Sequence, residues 1–328
     1  MTILVTGGAG YIGSHTCKSL AAAGHQPVVL DNFVQGHRWA VKWGPLVTGD
    51  ISDAELVRRT VHDFSIKAVI HFAAHAYVGE SVQNPRKYFQ NNVSDTLAFL
   101  NTLLDTGVDK IVFSSSCSTY GIPRNLPIKE DDPQQPINPY GASKLVIENV
   151  LRWYGDAYEL RSMCLRYFNA AGADPEGELG EEHNPETHLI PLVIAAAQHK
   201  IREVEIFGTD YETKDGTAVR DYIHVTDLAA AHVKALSYLL RGGSNDRMNL
   251  GTGQGHTIRE VVSAVEAVSG KSVSYRESPR RAGDPAALIA DPTRARSTLE
   301  WIPKFSDLRT IVETAWHWYE LPRRSTPP

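Results

Sequence analysis

Tyr140 and Lys144 stand four residues apart in Tyr140-Gly141-Ala142-Ser143-Lys144. On a helix, that spacing puts a phenol and an ammonium on one face. The positive charge favours the phenolate and is expected to lower the Tyr140 pKa from about 10 toward working pH. Such a tyrosine takes a proton from an alcohol while hydride leaves the same carbon. The chemistry therefore requires a hydride acceptor nearby. Taken alone, the pair is a weak signal and is more simply a surface Tyr beside a solvated Lys; the start of the chain tips the balance.

Thr2-Ile3-Leu4-Val5-Thr6 is a short apolar, β-branched run, the pattern of a buried strand. It leads into Gly7-Gly8-Ala9-Gly10-Tyr11-Ile12-Gly13, and a helical pattern follows from Ser14 to Ala23. Strand, glycine turn and helix form the context of a phosphate-binding loop. Gly7 permits the tight turn, Gly10 lets the backbone approach a pyrophosphate, and Gly13 lets the helix pack closely. A second strand, Pro27 to Leu30, ends at Asp31, about 20 residues past the glycines. A carboxylate there suits the two hydroxyls of an adenosine ribose, which points to NAD rather than NADP; a turn or cap role is the plainer alternative.

A third strand lies within Pro45 to Asp53, and a helix runs from about Ala54 to Asp63. Asp50 is placed to accept from an adenine amino group or to cap the turn. Ile66 to Ala74 is the fourth strand and its exit, where the small pair Ala73-Ala74 admits a nucleotide. His71 and His75 are four apart, but no Glu follows His71 and the segment begins as a strand, so no metal site is expected. Tyr88 to Thr106 reads as one long helix carrying Asn91 and Asn92. The fifth strand, Lys110 to Ser114, ends in a hydroxyl-rich run that includes Ser116 and Ser118. This alternation predicts an α/β fold, a Rossmann-like doubly wound parallel sheet with ligands beyond the carboxyl ends of its strands. The helix of Tyr140 and Lys144 follows the fifth strand and reaches that edge, opposite Ser116.

Composition narrows the partners. The chain has 328 residues, 42% hydrophobic and 22% charged, with a formal net charge of -5. There is no basic tract, so nucleic acid and anionic membranes are not expected partners. Cys17, Cys117 and Cys164 are widely spaced and odd in number, which fits a reducing cytoplasm rather than a disulfide framework. No run reaches about 18 apolar residues and no signal-like leader is evident, so a cytoplasmic protein is expected. The tail from Leu321 to Pro328 is expected to fray.

The second half is less regular. After a strand from Ser162 to Phe168, Ala173 to Pro191 reads as a long loop. The division expected is residues 1–172 as the dinucleotide-binding domain, to which a few later segments return. Residues 173–328 are mainly a smaller C-terminal α/β substrate-binding domain, supported by Asp221 to Val233 and Thr257 to Ser269. Phe207, after a short apolar strand, is placed to stack on a base. Arg220 and Arg281 suit bidentate phosphate contacts or stay solvated. Leu308 to Tyr319 is an amphipathic helix whose Trp316 and Trp318 are assigned to packing.

Thr6-Gly7-Gly8-x-Gly10-x-x-Gly13, the strand-end Ser116 and Tyr140-x-x-x-Lys144 resemble the extended short-chain dehydrogenase/reductases. Closer still is the UDP-glucose 4-epimerase family. It is matched at His71-Phe72-Ala73-Ala74, Val78-Gly79-Glu80-Ser81-Val82, Asn91-Asn92-Val93, Asn138 to Lys144 and Arg166-Tyr167-Phe168-Asn169. Further matches are Ile206-Phe207-Gly208, Gly216 to Val225 and Arg280-Arg281-Ala282-Gly283-Asp284. The resemblance covers nearly the whole chain.

The resemblance implies NAD as cofactor, with Tyr140, Lys144 and Ser116 catalytic. The cofactor would lie on Gly7, Gly10, Tyr11, Ile12, Gly13, Asp31, Asn32, Asp50, Ile51, Phe72, Ala73, Ala74, Asn92, Ser114, Tyr140, Lys144 and Tyr167. The UDP-sugar would lie on Ser116, Ser118, Tyr140, Asn169, His188, Leu189, Phe207, Arg220, Arg281 and Asp284. His188 stands where the family commonly has Asn. Ala76 stands where some members have Lys, so any phosphate contact by that Lys is missing. Leu288 stands where some have a bulky Tyr, which leaves N-acetylated sugars open.

The activity implied is oxidation at sugar C4, rotation of the 4-keto sugar and re-reduction, interconverting UDP-glucose and UDP-galactose. Epimerases of other UDP-sugars are the alternative. A 4,6-dehydratase would need an Asp-Glu pair where Cys117 and Ser118 stand. An NAD-sensing protein would not need Tyr140, Lys144 and Ser116 together. The family also implies a homodimer through Tyr88 to Thr106 and Tyr140 to Tyr158.

Overall fold

Six short strands open the chain: β1 (Thr2–Thr6), β2 (Gln26–Asp31), β3 (Leu46–Thr48), β4 (Ala68–His71), β5 (Lys110–Ser116) and β6 (Arg161–Tyr167). Four more follow, β7 (Asn169–Ala171), β8 (Val204–Phe207), β9 (Val219–Arg220) and β10 (Tyr222–His224), before β11 (Asp246–Leu250). The central sheet has seven strands in the order β11-β6-β5-β4-β1-β2-β3, all parallel. The computed structural model describes residues 1–281 and 283–322; Ala282 and the segment 323–328, most of the tail expected to fray, lie outside the described residues.

The apolar runs of these strands are continuous because both sheet faces are covered. Side chains alternate with a period of two, so Ile3, Val5, Val29, Ile70 and Val112 face one core, while Leu4, Val28, Leu30, Val69, Ile111 and Phe113 face the other. The second core is completed by α2 (Ala54–Asp63), α5 (Thr96–Asp105) and α6 (Pro139–Tyr158), the first by α1 (Tyr11–Ala22) and α8 (Val225–Leu240). The segment Asp221 to Val233 is therefore divided: Tyr222 joins a smaller core, whereas its helical part packs on the sheet. Leu228, Ala231, Ala235, Leu236 and Leu239 of α8 are buried against the sheet, and α8 packs along α1. β11 and α10 (Thr293–Leu299) return to the same layer.

The helix expected over Tyr88 to Thr106 is not uniform. Behind α3 (Val78–Gln83) comes α4 (Pro85–Phe89), then a π-helical stretch, Gln90–Asp95, and then α5. An inserted π-turn has no periodicity signal of its own and often marks a functional site. A separate apolar core lies beyond the carboxyl edge. There α7 (Leu189–Ala197), α9 (Ile258–Ser269) and α11 (Leu308–Glu320) bury Ile190, Val193, Ile194, Val261, Val265, Ile311 and Trp316. Thr257 and Glu260 close a capping box on α9. Short pairs complete this region: β12 (His256–Thr257) and β14 (Ala287–Leu288) flank β9, and β13 (Tyr275–Ser278) pairs with β8. Among the described residues no helix is long and apolar enough to cross a membrane.

Candidate active site

The glycine loop leaves β1 and enters α1 with no side-chain cap and no acidic residue in the first turn. Its amide ends therefore face outward as a site for negative charge. Gly7 has φ +69, and a Cβ there would lie 2.8 Å from Ala73 N. At Gly13 a Cβ would lie 2.2 Å from the Gly7 carbonyl oxygen, whereas at Gly10 it would meet only Gly7 O, at 3.3 Å. The outer glycines thus close the turn and the middle one keeps its face open. Tyr11 donates to the Gly172 carbonyl at 2.6 Å, which ties the loop to the long 172–188 segment. The apolar Ile12 next to it packs against the first core.

Asp31 sits at the end of β2, as expected. Its carboxylate accepts from Ala9 N–H at 2.9 Å and Phe33 N–H at 2.8 Å. Burial raises its pKa and those amides oppose the rise. Asn32 donates to Asp50 at 2.7 Å, and Asp50 accepts from the Ser52 amide and hydroxyl. Asp50 is thus both a turn cap and an edge carboxylate. The side chain of Ile51, next to Asp50, is buried in the second core. Phe72 leaves β4 packed against His232, centroids 4.7 Å apart, and Ala73 and Ala74 follow it, half-buried.

Asn92 lies in the π-helical stretch, buried, where its amide accepts from His75 N–H and donates to His75 O, both at 2.9 Å. It donates further to Ser143 Oγ at 3.2 Å. Its hydrogen bonds pin the β4 exit to α6, which gives it a positioning role at the expected cofactor edge.

α6 is capped by the Asn138 side chain, which accepts from Gly141 N–H at 2.8 Å. A Cβ at Gly141 would fall 2.3 Å from Ser118 O, so glycine is what lets the first turn of α6 lie against the end of β5. Tyr140, Lys144 and Ser116 are all buried there. Lys144 Nζ donates to Ser114 O at 2.8 Å and stands 5.0 Å from the Phe113 ring centroid and 5.8 Å from that of Tyr140. Ser114 Oγ and Tyr167 OH are hydrogen-bonded, which fixes the floor between β5 and β6.

The electrostatics correct the expectation from spacing. Burial pushes the Tyr140 phenol up to about 12, with a hydrogen bond from Ser116 opposing the rise. Burial pulls Lys144 down to about 7, against the attraction of Glu148. The pair is in place, and burial is the largest influence on both groups.

Opposite this edge stand the groups expected on the substrate side. Arg220 is buried; Nη2 donates to Asp284 Oδ1, and Nη1 donates to Val219 O at 2.8 Å. The Arg281 guanidinium lies 3.8 Å from the centroid of the Phe207 ring. Asn169, in β7, pairs in register with Tyr222 of β10, and Ser118 N–H donates to Ser116 Oγ at 3.1 Å. A small apolar cluster of Cys117, Tyr120, Ile128, Phe168 and Ala290, with Leu288 against it, joins the end of β5 to β14. Leu288 is in register with Arg220.

His188 and Leu189 begin α7, and His188 is not isolated. Its Nδ1 lies 2.8 Å from Glu181 Oε1 and 3.0 Å from Glu186 Oε1. His183 Nδ1 joins them. The sequence reading missed this cluster, although the spacing His183-x-x-Glu186-x-His188 was there to be read. It also missed the Arg220–Asp284 pair, whose partners are distant in sequence.

The pattern of the NAD dependent epimerase/dehydratase family matches residues 3–251. A UDP-glucose 4-epimerase from Rhizobium meliloti (strain 1021) is 51% identical over 97% of this chain and 96% of its own length. The crystal structure of UDP-glucose 4-epimerase from Brucella ovis in complex with NAD superposes with a TM-score of 0.95 at 53% identity, covering 97% of this chain and 98% of that one. That of the epimerase from Stenotrophomonas maltophila, with bound NAD and formylated UDP-arabinopyranose, superposes at 0.94 with 40% identity over 97% of each chain. With its glycine loop, its Asp31 edge and its Tyr140–Lys144 helix in this arrangement, the chain belongs to the NAD-dependent epimerase/dehydratase family.

Proposed function

We infer that the chain interconverts UDP-glucose and UDP-galactose with NAD as its resident cofactor. The observation that carries this reading is the meeting of Tyr140, Ser116 and Lys144 at the end of β5, joined through the Cys117–Phe168–Leu288 cluster to the strand that bears Arg220. The residues fit NAD: an open-faced glycine turn for the pyrophosphate, Asp31 for ribose hydroxyls, and Phe72 to Ala74 along the β4 exit. Bound there, NAD would supply the hydride acceptor and donor, and its positive charge would favour the phenolate that burial disfavours.

Tyr140 accepts the proton of the sugar 4-hydroxyl as the C4 hydrogen leaves with its electron pair, and later gives a proton back to the same oxygen. Ser116 hydrogen-bonds that oxygen and the phenol, and so relays the proton. Lys144 holds the nicotinamide ribose and adds positive charge beside Tyr140. Phe207, Arg220, Arg281 and Asp284 anchor the uridine diphosphate while the 4-keto sugar turns, so hydride returns to its opposite face. Oxidation and reduction cancel, and no external oxidant is consumed.

The test is incubation of the purified protein with UDP-galactose and no added cofactor, with UDP-glucose measured. Product is expected; its absence, with bound NAD verified, contradicts the reading. UDP-N-acetylgalactosamine run in parallel reports whether the half-buried Leu288 admits the larger sugar. A homodimer through α4 to α6 is supported by the exposed Phe89, Val146, Trp153 and Tyr158. Three buried, unpaired cysteines support a reducing, cytoplasmic compartment.

A further inference from the structure

Four side chains outside the proton relay converge on one point of the 172–188 segment: Glu181, His183, Glu186 and His188. Each offers one ligand atom, and the four atoms lie within 4.8 Å of one another. Glu181 is buried, and His183, Glu186 and His188 are partly so. We propose that these four residues form a divalent-cation site of the zinc class, which staples this segment beside the mouth of the cofactor cleft.

The distances fit a shared ion as well as direct ion pairs, and one nitrogen separates the two. A tetrahedral zinc with bonds of about 2.0–2.2 Å holds its ligand atoms roughly 3.3–3.6 Å apart. The separations of His183 Nδ1 are close to that range, 3.2 Å to Glu181 and 3.6 Å to Glu186, whereas His188 Nδ1 sits closer, at 2.8 Å to Glu181 and 3.0 Å to Glu186. His183 Nδ1 is at ion-pair distance from both carboxylates, yet it is buried with no hydrogen-bond partner. That nitrogen has the right neighbours and the wrong angles for hydrogen bonding. An ion between the four groups satisfies it. Two carboxylates with two neutral imidazoles also neutralise a divalent ion inside a buried site. Imidazole nitrogens in the set disfavour Mg²⁺ and Ca²⁺, which take oxygen ligands.

The surroundings are built to hold such a centre. The Glu181 carbonyl accepts from Tyr319 OH at 2.9 Å and from Trp318 Nε1 at 3.2 Å, so α11 fixes the backbone behind the cluster. Tyr11 and Tyr77 pack edge-on to His183 at 6.3 and 6.0 Å between centroids. Tyr11 belongs to the glycine loop, so the ion would couple the order of 172–188 to the cofactor loop. With Nδ1 of His188 on the ion, Nε2 must carry the proton, which leaves this ring a fixed donor on its other edge.

The test uses the full chain with its cofactor. Protein from zinc-supplemented growth is buffer-exchanged and its metal counted per chain. The proposal expects close to one zinc for each chain, and much less in a Glu181→Gln/His183→Gln double variant. Stripping with chelator and adding Co²⁺ alone should give the visible ligand-field bands of a four-coordinate ion in the parent protein, a readout that needs no variant to fold. Added zinc should raise the melting temperature of the stripped parent. Negligible zinc after incubation and buffer exchange, with no Co²⁺ spectrum, overturns the proposal and leaves an ion-paired cluster.

Discussion

The two sides of the cleft are built by different physics. On the sheet side, Tyr140, Lys144 and Ser116 are all less than a tenth exposed, and burial is the largest influence on the titration of both Tyr140 and Lys144. On the opposite side, Arg220 is paired with Asp284, Arg281 is exposed over Phe207, and short two- and three-stranded pairings carry them. The first region keeps its groups near neutrality until a ligand supplies charge. The second offers standing charges to a charged ligand. Chemistry in which a proton moves both ways suits the first, and anchoring a diphosphate through a large rotation suits the second.

That contrast can be broken at several points. Gly13→Ala should be the most damaging, because its Cβ would sit 2.2 Å from Gly7 O. The expected outcome is loss of co-purifying NAD, read from the absorbance and mass of the released nucleotide, and activity should go with it. Arg220→Ala comes next. It removes a charge-assisted contact worth about 2–3 kcal/mol, so KM should rise roughly 30- to 150-fold with kcat changed far less. A matched fall in kcat would place Arg220 in the chemistry and erase the division.

Acid should act on the sheet side through its buried histidines. Burial pushes His15 and His232 down to about 4 and His71 to about 3. Between those values and the ordinary 6.5, the unfolded chain binds protons that the folded chain does not, so stability is lost as pH falls from 6.5 toward 4. By pH 4.5 each such histidine costs roughly 3 kcal/mol. Melting temperatures between pH 7 and 4.5 should fall less steeply for His232→Leu than for the parent; equal slopes would contradict the assignment. The smallest effect is expected for Asn92→Ala, which frees the His75 main chain. It should weaken NAD retention by several-fold while leaving UDP affinity unchanged, as equilibrium dialysis would measure.

Legibility in the sequence follows the same line. The seven-stranded layer was readable through its sixth strand because continuous apolar runs alternate with helical patterns. Gly7, Gly13, Asp31 and the Tyr140–Lys144 helix sit where those local signals place them. Sequence spacing also put phenol and ammonium together, but it carries no information on burial, so the direction of the Tyr140 pKa was misread. β11 and the packing of α8 on α1 were illegible because their partners lie more than 80 residues away in the chain. A separation of 64 residues hid the Arg220–Asp284 pair in the same way. Ile51 and Asn92 followed from resemblance alone, and the structure places one in the core and the other in a clamp on the β4 exit.

The central claim is that Tyr140 carries the proton while the opposite side only holds the nucleotide. The direct measurement is kcat and UDP affinity for Tyr140→Phe, which removes one oxygen. Turnover of UDP-galactose should fall by roughly 10²–10⁴-fold, with the dissociation constant of UDP unchanged and NAD still bound. Turnover near that of the parent would contradict the assignment of the base, and a large loss of UDP affinity would show that the two sides are not separate.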